Sequence, residues 1–155
     1  MDVKPEILVA GIVGLAAMVE DLARRTISNW IPMAAFFGGI ACQVASKGWI
    51  GIPAALGGAI CGFLVFLVFY WLGGMGGGDV KLMAGFGALL GHWKLLEAAL
   101  WASAIGGLIA LGVIGWSTIR DFWRSSRGQE KGPDPKHIPY APAIVLGVWL
   151  AMVPK

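Results

Sequence analysis

The chain has 155 residues, of which 57% are hydrophobic and only 14% charged, with a net charge of +3. That balance is too apolar for a water-soluble domain of this size and identifies a membrane protein. Two cysteines, Cys42 and Cys61, both inside apolar runs and without CxxC spacing, exclude a zinc motif and a disulfide framework.

In chain order, the charges divide the sequence into uncharged runs close to the length needed to cross a hydrocarbon core roughly 30 Å thick. Ile7 to Val19 is a short first run that spans only if its charged flanks reach the headgroups. The start carries Asp2, Lys4 and Glu6 rather than a basic n-region, so a cleaved signal peptide is not expected and the first span should stay. Thr26 to Ser46 forms a second run, and Gly48 to Gly78 a third that exceeds one helix. Ile50 to Leu72 suffices for that span, which leaves Gly73 to Gly78 as an expected non-helical approach that must be buried or wetted. Leu82 to Trp93, Ala98 to Ile119 and Ile138 to Val153 complete the set, with a polar loop at 120–137.

These runs predict an all-α integral membrane protein of a single domain, 1–155. Its six transmembrane helices fall at about 5–20, 30–46, 50–72, 80–93, 97–119 and 138–154. With six spans, Arg24, Arg25, Lys81, Arg120, Arg124, Arg127, Lys131 and Lys136 gather on one side, against Lys4, Lys47, Lys94 and Lys155 on the other. Short loops rich in Lys and Arg stay in the cytoplasm. Both termini are therefore expected outside, and Asp21 and Asp79 at the cytoplasmic face. Trp30, Trp49, Trp71, Trp93, Trp116 and Trp123 fall near span ends, where the indole suits the interface; Trp101 and Trp149 fall deeper. The basic loop is short and carries Asp121, Glu130 and Asp134 as well, so it reads as a solvated, lipid-touching loop and not as a nucleic-acid site. His92 and His137 sit at span ends on opposite sides, too far apart to share a metal.

Nine acidic residues are present, and most need no explanation beyond solvation. Asp21 and Asp79 differ: each follows a span, and two helices could bring them together at one membrane face. Paired carboxyls do not both ionise readily, so one serves as acid and the other as base toward a water molecule. The same two residues would also suit a proton or ion site in a small transporter or channel, and a noncatalytic assembly partner could keep the fold.

The segment GGGDVKLMAGFGALLG, Gly76 to Gly91, resembles the GxGD region of the type IV prepilin peptidase family, with Asp79 as its aspartate. Asp21 followed by Ile27, Ser28 and Asn29 is similar to the family's D-x-x-x-x-x-I-P-N, with Ser28 where Pro is usual and able to cap a helix start. IPYAPAIVLG, Ile138 to Gly147, resembles the segment that opens the family's last helix. The resemblance implies an aspartic endopeptidase of the cytoplasmic membrane that removes the leader of prepilins or pseudopilins, with Asp21 and Asp79 catalytic and no cofactor or metal. Gly76 and Gly78 would give backbone room to the substrate. Lys81 and Asn29 would support the site, although Lys81, like Arg24 and Arg25, also reads as a headgroup anchor. The paired CxxC segment of the longer, methylating members is missing, so methyltransferase activity is not expected. The chain looks most like the Tad/Cpa-type enzymes that process Flp-like pilins. A presenilin-type relative is disfavoured, because Asp21 follows Glu20 and no Pro-Ala-Leu is present.

Overall fold

The computed structural model describes residues 5–73, 75–126 and 140–153, and among them every regular element is helical. The helices are α1 (Pro5–Arg24), α2 (Trp30–Lys47), α3 (Gly51–Trp71), α4 (Gly77–Leu90), α5 (His92–Ser125) and α6 (Ala141–Met152), with a 3₁₀ turn at Gly48–Ile50 before α3. The all-α expectation holds, but several boundaries move. Residues 127–137 of the expected polar loop lie outside the described residues, while α5 itself runs into the start of that loop, to Ser125.

Large apolar side chains lie on both sides of the packing. Phe86, Leu82, Met83 and Leu89 are buried together with small residues such as Ala10, Ala17, Ala35, Ala88, Ala98 and Ala141, while Leu8, Ile12, Leu64, Leu100, Leu108 and Leu111 face outward and exposed. Lipid tails are as apolar as Leu, so a helix in lipid gains little by hiding Leu and much by close backbone approach through small residues. Two helical stretches, Trp30–Trp71 and His92–Trp123, are long and apolar enough to cross a membrane, and Ala141–Met152 is apolar but shorter. All six tryptophans assigned to span ends are exposed. Trp149 is half-buried instead, and its Nε1 donates to the Ala10 carbonyl at 3.3 Å, tying α6 to α1.

Helix α4 is the centre of the bundle. It is apolar on all sides, which is the pattern of a helix surrounded by others, and nearly every residue from Val80 to Leu90 is buried. Its chief neighbours are α2 and α3. The crossing with α3 is a mutual glycine contact: a Cβ on Gly58 would strike the Gly87 carbonyl oxygen, and a Cβ on Gly87 would strike that of Gly58. On the α2 side, a Cβ on Gly39 would lie 2.5 Å from the Leu89 nitrogen. Near the same end, the buried Gln43 donates from Nε2 to the Leu89 carbonyl at 3.2 Å.

Two turns differ from the sequence reading. The glycine approach was expected to stay non-helical through Gly78, but α4 begins at Gly77. The reason is Asp79: as the third residue of the helix it accepts the Gly76 N–H at 3.2 Å, while its own N–H donates to the Gly76 carbonyl at 3.1 Å. This reciprocal arrangement starts the helix two residues early. At the other end, Gly91 alone separates α4 from α5, adopting φ of +73°, a conformation glycine takes without steric cost. His92, Trp93, Lys94 and Glu97 all lie within the first turns of α5.

Candidate carboxyl pair

Asp21 and Asp79 are the buried carboxylates of the described residues, each 7% exposed. They arrive from different elements. Asp21 lies in the last turn of α1 and Asp79 in the first turn of α4, just beyond the expected spans 5–20 and 80–93. Arg25 ends α1 in the left-handed conformation at φ of 55°, its N–H donating to the Asp21 carbonyl at 2.8 Å. The chain then doubles back so that Ile27 lies against α4, where a Cβ on Gly78 would sit 3.2 Å from that of Ile27. Gly78 thus serves as a close contact between the two segments that carry the carboxyls.

Each carboxylate holds a helix start. Asp79 Oδ2 accepts the Gly76 N–H, as above. Asp21 Oδ2 accepts the backbone N–H of Ala141 at 3.1 Å, the first residue of α6 and 120 positions away in sequence. A carboxylate there also meets the positive end of the helix dipole. The sequence reading missed this partner, although it had singled out the segment containing Ala141.

The electrostatics separate the two groups. Burial raises the Asp21 carboxyl, while the Ala141 N–H and the Arg25 charge oppose that rise. Burial, followed by the Asp21 charge, pushes Asp79 up to about 6, with the Gly76 N–H opposing. Two carboxyls close enough for one charge to raise the other share a proton in preference to ionising together. Asp79 is raised by both burial and the Asp21 charge, whereas Asp21 is raised by burial alone, and each accepts one backbone N–H.

This pairing has a measurable consequence for stability. Because the Asp79 carboxyl titrates higher in the folded chain than in the unfolded one, its contribution is full below about pH 4 and is lost as pH rises through about 6. Asn mimics the protonated form and keeps an oxygen for the Gly76 N–H. The difference in melting temperature between Asp79→Asn and the parent protein in detergent is therefore expected to grow in the variant's favour between pH 4 and 7. A difference independent of pH would contradict the coupling.

Lys81 and Asn29 meet each other at the surface. Lys81 Nζ donates to Asn29 Oδ1 at 2.9 Å, both side chains exposed, which links the first turn of α4 to the start of α2. Asn29 occupies the position before α2 but makes no side-chain capping bond, and Ser28 does not cap the helix either. Ser28 instead bonds Glu20 twice, Oγ to Oε1 at 2.6 Å and backbone N–H to Oε2 at 2.9 Å. Arg24 reaches Glu20 at 3.9 Å from an exposed position, a pair of small energetic weight. The Glu20–Ser28 contact staples the turn after Asp21 and gave no sequence signal beyond adjacency. Among the described residues, no three His, Cys, Asp or Glu side chains cluster to hold a metal.

The described residues thus form an apolar helical bundle with two buried carboxyls at adjoining helix ends. Residues 8–111 match the type IV leader peptidase family, and the chain belongs to that family. It is 28% identical over 140 residues to a prepilin leader peptidase/N-methyltransferase of Aeromonas hydrophila, covering 86% of this chain and 43% of that protein. A protein of the same description from Pseudomonas aeruginosa is 34% identical over 123 residues, covering 68% and 38% of the two chains. One from Pseudomonas putida is 30% identical over 112 residues, covering 68% and 34%. The chain thus spans less than half the length of these relatives. No solved structure matches it.

Proposed function

We propose that this protein is a membrane aspartic endopeptidase that removes the leader from Flp-like prepilins at the cytoplasmic face of the inner membrane. The single observation that carries the reading is the burial of two carboxyls, Asp21 at the end of α1 and Asp79 at the start of α4, in a chain whose family is that of leader peptidases. In this reading the protein crosses the membrane six times with both termini outside, as the distribution of Lys and Arg supports.

The chemistry follows from the asymmetry of the pair. The Asp21 carboxylate takes a proton from water as the oxygen attacks the peptide carbonyl, and the Asp79 carboxyl gives its proton to the developing oxyanion. As the tetrahedral intermediate collapses, the C–N bond breaks with the proton on Asp21 passing to the leaving amine, and a hydroxyl of the intermediate returns its proton to Asp79 as the new carbonyl forms, which restores both groups. Of the two activities in the relatives' names, this site accounts for the peptidase alone. Gly78, whose close contact with Ile27 sets the spacing of the two segments, supports the geometry; Lys81 and Asn29 brace it from the surface.

The reading is tested by co-expressing the chain with a Flp-type prepilin and following leader loss by gel shift, with and without a chelator in the membrane assay. Cleavage that the chelator leaves unchanged is expected, since the two carboxyls themselves activate the water. Failure to cut any class of prepilin would turn the reading toward a proton or ion pathway or a noncatalytic assembly role.

A further inference from the structure

The buried stripe of α1 ends at a carboxyl. Ala10, Gly14, Ala17 and Asp21 recur at helical spacing on one face, and all four are buried. Helix α6 runs antiparallel along that stripe: Ala141 meets Asp21, Val145 meets Gly14 and Trp149 meets Ala10. A Cβ on Gly14 would lie 2.8 Å from Val145 Cγ1 and 3.2 Å from Trp149 Nε1, so the helices approach closely where α1 has no side chain. On its other side α6 presses against α5, where a Cβ on Gly147 would lie 2.6 Å from the Ala102 nitrogen. Close contacts on both sides therefore fix the register of α6.

The start of α6 carries no cap of its own. Tyr140 at the N-cap makes no side-chain bond to the first turn, and Pro142, second in the helix, has no N–H to give. Asp21 accepts the Ala141 N–H from a different helix, doing what a local Ser, Thr, Asp or Asn would otherwise do. A bond that spans 120 positions cannot arise from local chain geometry, so it exists only where α6 has docked.

We propose that α6 is the positioning strut of the carboxyl pair: the Ala141 N–H aims the Asp21 carboxylate, and Trp149 sets the register at which that N–H arrives. The proposal rests on the peptidase reading and adds to it two positioning residues that act through Asp21. Trp149 lies eight residues beyond Ala141, about 12 Å along the helix. Other charges near Asp21 come from few places. Arg25 of its own turn and Asp79 of α4 act on it, Lys81 is engaged by Asn29, and Glu20 by Arg24 and Ser28. Helix α2 is charged only at Lys47, its far end, and α6 carries no charge. Among the described residues, the Ala141 N–H is the donor bonded to the Asp21 carboxylate.

The test uses the full chain in detergent with a Flp-type prepilin. In protein carrying isotope-labelled alanine, the Ala141 amide resonance is identified by its loss in Ala141→Gly. It is expected to move with pH at the midpoint of the acidic limb of kcat, and to stop moving in Asp21→Asn. Ala141→Pro removes the N–H at a first-turn position where proline is tolerated. The acidic limb should then shift to higher pH by about one unit, because a bond to the ionised form is lost. At the same time kcat should fall about tenfold or more with KM unchanged. Ala141→Gly, which keeps the N–H, should place the limb where the parent has it. Trp149→Phe keeps a ring but loses the bond to Ala10, and should move the limb the same way by less. An Ala141 resonance indifferent to pH, or an unmoved limb in folded Ala141→Pro, overturns the strut and leaves the peptidase reading standing. Parent limb and kcat in Trp149→Phe overturn the register role. If Ala141→Pro does not fold, the resonance and Trp149→Phe decide. A pH-dependent Ala141 resonance in a protein that cuts no prepilin overturns the peptidase reading, and the strut with it.

Discussion

Asp79→Asn and Asp21→Asn are each expected to reduce leader cleavage by about a thousandfold or more, measured as the initial rate of prepilin conversion by purified protein. General acid–base groups typically contribute 10²–10⁴-fold, and members of one catalytic unit fail together. The two substitutions act through different steps. Asn at 79 cannot supply the proton that the buried carboxyl holds, and Asn at 21 cannot take one from water. Neither should unfold the protein. An amide oxygen at 79 can still accept the Gly76 N–H, and one at 21 can still accept the Ala141 N–H that docks α6. Unchanged helix content and an intact melting transition alongside lost cleavage would therefore place the loss in the chemistry. Cleavage that survives either substitution would remove the dyad from consideration.

The second large effect concerns folding. Gly87→Val is expected to abolish a stable bundle or lower its melting temperature drastically, because the new side chain meets the Gly58 backbone with no flexible group able to yield. Overpacking of a well-filled core typically costs 1–3 kcal/mol and occasionally more, and contact with a helix backbone belongs to the upper end. Gly107→Ala provides the contrast: nothing lies within 4 Å of its Cβ position in α5, and Ala favours a helix over Gly by about 1 kcal/mol. A neutral or slightly raised melting temperature is expected there. Equal effects of the two substitutions, followed by thermal unfolding in one detergent, would contradict α4 as the packed centre.

Particular residues show what the sequence made legible. Gaps between charges located six helical elements, since a charge inside an apolar helix is costly and its absence over a run of residues is easily seen. The placement of Asp21 and Asp79, each at the end of such a run, made their juxtaposition conceivable. Other features lay beyond reach for physical reasons. Glycine-rich sequence normally argues against helix, and only the local bond between Asp79 and Gly76 turns Gly77 and Gly78 into a first turn. Ala141 as the partner of Asp21 depends on a backbone N–H, which every non-proline residue has and no side chain advertises. The shortest apolar run became the most buried helix, because periodicity reports amphipathic faces and α4 has none. Ser28 was assigned a capping role from its residue type, but tertiary placement beside Glu20 gave its hydroxyl a stronger, charged acceptor.

The length of α4 has a consequence for how such a site would meet its substrate. Its fourteen residues rise roughly 21 Å, well short of the roughly 30 Å of a typical hydrocarbon layer. In the proposed orientation, with Gly91 near the outer boundary, the opposite end of the helix stops beneath the headgroups. The mismatch is met by a thinned bilayer or by a wet indentation over the first turn of α4. A substrate helix lying in the bilayer would then find hydrolytic water at the depth of its own junction, without first being drawn out into the cytoplasm.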